Sequence, residues 1–222
     1  EISAGAIQDL AGNAFAGLSG NSSWNFTTST GVAPLYDLQI TEIWAGQQGA
    51  ALTTDWFEIT NRGTQAWVGG SNPALYYDDD SQSAAEADLI SGITQIDPGE
   101  SVIVVIGADA AVVTTFSNIW SPVINLTGVD IGLVNGAGLG QGGDGVAIWI
   151  GGPAGSPNDF ALYPALVSGV SYDVELAAAS TVGNAAGAVA TTALGGASGT
   201  EPAIGSPGRA YTALPPGQAF PL

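Results

Sequence analysis

Asp55-Trp56-Phe57-Glu58-Ile59-Thr60-Asn61 is the stretch on which the fold turns. Trp56, Phe57 and Ile59 spread apolar bulk over both faces of a strand, and Asn61-Arg62-Gly63-Thr64 makes its polar exit. Upstream lies Leu38-Gln39-Ile40-Thr41-Glu42-Ile43, whose apolar positions 38, 40 and 43 nearly alternate. Two strands joined by a Gly-containing loop read as a hairpin. Downstream, Ile96-Asp97-Pro98-Gly99-Glu100-Ser101 leads into Val102-Ile103-Val104-Val105-Ile106. Pro98 fixes φ and Gly99 supplies positive φ, so this is a turn followed by a buried strand.

The rest of the chain extends that pattern. Val146-Ala147-Ile148-Trp149-Ile150 is a further strand between Gly145 and Gly151-Gly152-Pro153, and the spacing predicts that residues 167–172 pair near it. With 33 glycines and 12 prolines among many Val, Ile, Thr and aromatic residues, short strands and tight turns are favoured over helices. Turn signals recur at the spacing of an all-β sandwich. At 222 residues the chain is long enough to bury a sizeable core.

Charge removes several function classes. Twenty acidic residues stand against two basic ones, Arg62 and Arg209, for a net charge of −18. Nucleic acid and anionic membrane surfaces both require Lys/Arg stripes, so neither is an expected partner. The apolar run 102–113 is interrupted by Asp109 and is too short to span a bilayer as a helix, so no membrane insertion is expected. The chain has no Cys, His, Met or Lys. Disulfides, thiolate or Ser–His nucleophiles, Lys-based cross-links and His/Cys metal sites are thereby excluded. The lack of an initiator Met leads to the expectation of processing, with export as its history.

Residues 36–212 resemble a lamin tail domain, an Ig-like β-sandwich that also occurs in secreted bacterial proteins. The matching anchors are Ile40-Thr41-Glu42-Ile43, Asp55 to Asn61, Asp97-Pro98-Gly99-Glu100-Ser101-Val102-Ile103-Val104, Gly142-Gly143-Asp144-Gly145-Val146-Ala147-Ile148-Trp149 and Gly205-Ser206-Pro207-Gly208. The departures are a long insertion at 176–203 and the Gly-rich 132–145 region. The resemblance implies a non-catalytic domain. Residues 1–30 resemble the C-terminal portion of a bacterial surface-type Ig-like domain, through Asp9-Leu10-Ala11-Gly12-Asn13 and Phe26-Thr27-Thr28.

The expected organisation is therefore an N-terminal β-strand arm (1–30), a linker (31–35), an Ig-like β-sandwich (36–212) and a tail (213–222). Two or three strands cannot form an independent core. The arm is either part of a larger domain or completes its fold on another chain, and Ile2, Ile7, Phe15, Trp24 and Phe26 are the residues it would bury there. Between Leu176 and Thr200 no residue is charged; this stretch reads as a flexible loop or as a surface that something covers, a neighbouring subunit being one candidate.

Asp78, Asp79, Asp80, Glu86 and Asp88 form the best ion-binding candidate, since Ca²⁺ takes six to eight oxygens and one loop can supply several. Their spacing is not that of an EF-hand, and a solvated turn is the alternative. Asp55 and Glu58 as a general acid/base pair read as structural instead, because their side chains lean to opposite faces of one strand. Gly138-Leu139-Gly140-Gln141-Gly142-Gly143 mimics a dinucleotide loop without its strand-helix context. Asn21, Asn25 and Asn125 head N-x-S/T sequons and are candidate glycosylation sites.

The expectation is a non-catalytic extracellular or cell-surface structural protein, a subunit of a bacterial fibre or layer that forms a homo-oligomer or homopolymer by strand addition. The alternative is a calcium-dependent module that binds carbohydrate or a surface, in which some of the six Trp and six Tyr would make a glycan platform. Buried aromatics explain those residues more simply.

Overall fold

The computed structural model describes Asn13 and residues 36–46, 54–69, 73–191 and 202–210. The chain divides into two units, residues 1–33 and 34–222. Apart from Asn13 the first lies outside the described residues, as do Ile2, Ile7, Phe15, Asn21, Trp24, Asn25, Phe26 and the tail.

The second unit is an all-β sandwich with a single helix among the described residues. Its strands are β1 (Leu38–Trp44), β2 (Trp56–Asn61), β3 (Trp67–Val68), β4 (Leu75–Asp78), β5 (Asp88–Leu89), β6 (Gln95–Ile96) and β7 (Ser101–Ile106). After helix α1 (Ala111–Trp120) come β8 (Ile131–Val134), β9 (Gly143–Ile150), β10 (Asp159–Pro164), β11 (Tyr172–Asp173), β12 (Ala178–Ala179), β13 (Val189–Ala190) and β14 (Ile204–Gly205). One sheet runs β12-β11-β1-β2-β7-β8 and the other β10-β9-β4-β5; β3-β6 and β13-β14 are separate ladders.

β1 and β2 form the expected antiparallel hairpin, with β7 on its far side. The broken alternation of β1 has a physical cause. The register slips between Ile40 and Glu42, a β-bulge that inserts one extra residue and reverses the faces beyond it. Leu38, Ile40 and Ile43 therefore all face the other sheet, whereas Glu42 and Trp44 face away, directly opposite Glu58 and Trp56.

Two apolar cores result. Between the sheets pack Ile40, Phe57, Ile59, Val104, Tyr77 and Ile148, with Phe57 stacked on Tyr77 at 5.1 Å. Beneath α1 pack Trp44, Trp56, Ile103, Val105, Phe116 and Trp120. Trp56 meets Phe116 and Trp120 edge-on at 5.7 and 5.8 Å. All six residues of β7 are buried, as expected of a strand covered on both faces.

Two expectations need correction, and a helix stands where the sequence pattern assigned no element. Residues 111–120 are a helix, because β7 and β8 run parallel and a parallel pair needs a crossover, here α1. The partners of β9 are β10 and β4, while Tyr172 and Asp173 pair instead with β1. Residues 176–191 are not a bare loop. Ser180 donates its backbone N–H to Ser171 at 2.8 Å, Asn184 caps the Ala188 N–H at 2.9 Å, and β13 pairs with β14, so this part of the insertion is fastened to its own domain.

Candidate functional site

The hairpin sets two carboxylates side by side. Glu42 and Glu58 are cross-strand partners, 2% and 0% exposed. Each is held by donors from two distant parts of the chain. Glu42 accepts the Ser171 hydroxyl, the Ser206 N–H at 2.9 Å and the Ser206 hydroxyl at 3.0 Å. Glu58 accepts the Thr41 hydroxyl at 2.6 Å and the N–H groups of Gly208 and Arg209 at 2.8 and 3.1 Å. A hydroxyl chain extends outward from them through Thr60 to Ser101 (2.8 Å) and through Ser171 to Ser180 (2.7 Å).

The turn Gly205-Ser206-Pro207-Gly208 is thus the lid of this site. Gly205 is tightly packed, since a Cβ there would lie 3.1 Å from both Glu42 Oε1 and the Trp120 ring, closer than an ordinary contact. The polar half of this sheet face and the apolar half under α1 meet at that residue.

Burial pushes the Glu42 carboxyl up to about 8 and the negative charge of Glu58 adds to it, with the Ser171 and Ser206 donors opposing. Glu58 is pushed up to about 7, again by burial, with the Thr41, Gly208 and Arg209 donors opposing and Glu175 adding repulsion. Two carboxylates that feel each other's charge release their protons as a unit, so the pair holds a proton at neutral pH. The Arg62 guanidinium is ion-paired with Glu175, and the Arg209 guanidinium donates to the Gly187 carbonyl at 3.1 Å.

An acid pair that titrates near neutrality has the property wanted of a proton-transfer site. Substrate access does not follow. The space enclosed by Glu42, Glu58, Asp173, Ser206 and Arg209 leaves no room for a water molecule. The arrangement is a hydrogen-bonded clamp that joins β1, β2, residue 171 and the 205–209 turn.

Asp55 is not paired with Glu58. It precedes β2, accepts the Leu139 N–H at 2.9 Å, and is pushed upward by burial against that bond. Residues 138–143 form the loop that enters β9, where Gly140 donates its N–H to Asp144 at 2.6 Å.

The acidic candidates divide. Asp79 and Asp80 join Asp144, with carboxylate oxygens of all three within 4.8 Å of one another. Asp78 is buried and accepts the Ser81 hydroxyl at 2.7 Å and the Ser83 N–H at 2.6 Å, which shapes the turn. Glu86 and Asp88 are exposed and do not belong to that group; Asp88 lies on β5, opposite Tyr77. Asn125 is exposed in a turn, where it accepts the Thr127 N–H at 3.1 Å.

Sequence reasoning missed Glu42 as the partner of Glu58 and Asp144 as the partner of Asp79 and Asp80. The first had a signal: Ile40-Thr41-Glu42-Ile43 and Phe57-Glu58-Ile59 each place a glutamate inside an apolar strand, where charge is costly unless paired. Comparison with protein-family profiles, curated proteins and solved structures finds no match for this chain.

Proposed function

We propose that this chain is a non-catalytic structural protein of the cell exterior, a self-assembling subunit of a bacterial surface fibre or layer whose N-terminal arm adds to a neighbouring copy. The observation that carries the reading is the commitment of the Glu42–Glu58 pair to the fold. The acid pair in the described chain best suited to proton transfer is sealed by its own closing turn and saturated with the chain's own donors. Its resemblance to a lamin tail domain supports the same reading.

Residues 1–30 carry strand-patterned sequence, and a short strand pair gains stability by joining a sheet. A head-to-tail contact of this kind that does not close on itself propagates as a filament. The test is electron microscopy of the intact chain beside a variant lacking residues 1–30. Filaments or sheets from the intact chain alone are expected; the same assemblies from the truncated protein would refute the arm's role.

A second reading is a calcium-dependent module for carbohydrate or surface binding, and the Asp79–Asp80–Asp144 group favours it. Three carboxylates at that separation suit a hard cation with oxygen ligands. Calcium would then raise the melting temperature by binding the folded state alone, and Asp144→Asn would remove that rise. An equal response from parent and variant would dismiss this reading.

A further inference from the structure

The open side of the sandwich carries a groove of about 470 Å³. It exists because both sheets stop pairing there. β11 meets β1 only at Glu42 and Ile43, which leaves Leu38–Ile40 without a strand neighbour on that side among the described residues. Among the described residues β10 is the terminal strand of the other sheet and pairs only with β9. Asp159 spans the gap by accepting the Ile40 N–H at 2.7 Å, and burial raises its carboxyl against that bond. The groove is lined by Ile40, Ala161, Tyr172 and Val174, with the acids Asp159 and Glu175 beside them, and the exposed Leu162 of β10 borders it.

An edge strand offers a row of backbone N–H and C=O groups, and most proteins guard such edges with charge, proline or a bulge. Here Pro164 guards one end and Asp159 turns its carboxylate to Ile40 at the other. The run Phe160-Ala161-Leu162-Tyr163 between them carries no charge, and Leu162 is 61% exposed.

Electrostatics restricts what could lie there. A molecule with a net charge of −18 repels its copies, and a groove that itself holds Asp159 and Glu175 favours an incoming segment with no acid of its own. The sequence has one long uncharged stretch at its N-terminal end: no charged residue stands between Asp9 and Asp37. Inside it, Trp24-Asn25-Phe26-Thr27-Thr28 alternates large apolar with small polar residues, the pattern of a strand with one face to bury. Its five residues fit within the six of β10.

We infer that the β10 edge and its groove are the acceptor for Trp24–Thr28 of a second copy, which adds as a new antiparallel or parallel strand with Trp24 and Phe26 seated in the groove. The inference rests on the reading of residues 1–30 as an assembly arm and names the surface to which that arm binds. Main-chain pairing would supply the affinity and the two aromatic side chains the register. Asn25 and Thr27 would then share the outer face with Leu162.

The chain has no cysteine, so engineered pairs report directly. In the full-length Thr27→Cys/Leu162→Cys chain, with Asn25→Cys/Leu162→Cys as the shifted register, mild oxidation should give a ladder of covalent multimers. A monomer closed by an internal disulfide would overturn the inference by placing the chain's own arm in its own groove. Absence of any disulfide in both variants would overturn it equally. As a second measurement, Leu162→Asp places charge on the exposed edge and should raise the concentration needed for assembly at least tenfold, with the melting temperature unchanged. If Leu162→Asp assembles like the parent while removal of residues 1–30 prevents assembly, the groove is wrong and the arm stands. If the intact chain never associates, both fall.

Discussion

At the scale of residues, the carboxylates of Glu42 and Glu58 are the main departure from an apolar interior, and they make the fold sensitive to pH. Both have folded pKa values above the ordinary 4.5, about 8 and about 7. Between those limits the folded state binds more protons than the unfolded chain. Stability is therefore highest below about pH 4.5 as far as this pair is concerned, falls as pH rises, and levels off above about pH 8. Asp55 and Asp159, also raised by burial, act with the same sign. Glu42→Gln removes one titrating group while it keeps an acceptor for Ser206. Chemical denaturation from pH 5 to 8 should show a slope shallower by up to about 1.4 kcal/mol per pH unit in this variant. Identical slopes would mean that Glu42 does not hold its proton in the folded state. The positions of both glutamates were legible as acids among apolar neighbours. Their pairing was not, because an alternating reading of β1 sends Glu42 to the same face as Ile40, and only the bulge turns it towards Glu58.

At the scale of elements, α1 and the closing turn cover the same sheet face by different means. The helix has ten residues, no acid in its first turn and no base in its last, and at its start the Asp109 carboxylate accepts the Ala111 N–H at 2.8 Å. A helix that short is marginal alone, so Phe116 and Trp120 hold it in place. Trp120→Ala should cost about 3–5 kcal/mol, read by denaturant unfolding; a cost below about 1 kcal/mol would place the helix outside the cooperative core. The turn depends on backbone geometry. Gly208 has φ of 78°, and a Cβ there would lie 2.9 Å from Val129. Gly208→Ala should destabilise by about 1–3 kcal/mol and weaken the N–H bond to Glu58; an unchanged melting temperature would contradict the clamp. The hairpin and the Asp97-Pro98-Gly99 turn were readable because local sequence determines them. The helix was obscured by Val112, Val113, Thr114 and Thr115, β-branched residues that suit a strand, and its cause is the distant parallel pairing of β7 with β8.

At the scale of the whole molecule, sequence pattern was sufficient for the all-β sandwich, because turns recur and strands alternate along the chain. The acidic group was legible only in part: Asp79 and Asp80 are neighbours in sequence, whereas Asp144 arrives from the start of β9 through the pairing of β4 with β9. Partnership between copies is set by charge and edges together. Like charge opposes every encounter at low salt and is screened over about 10 Å at 0.1 M, whereas strand addition is insensitive to salt once formed. Self-association should therefore grow with both concentration and ionic strength. Sedimentation velocity of the intact chain over a range of protein concentrations, at low salt and at 0.5 M salt, tests this most directly. The account predicts species well above the 22.0 kDa monomer that increase with concentration and appear earlier in high salt. A single monomeric boundary under every condition would contradict it.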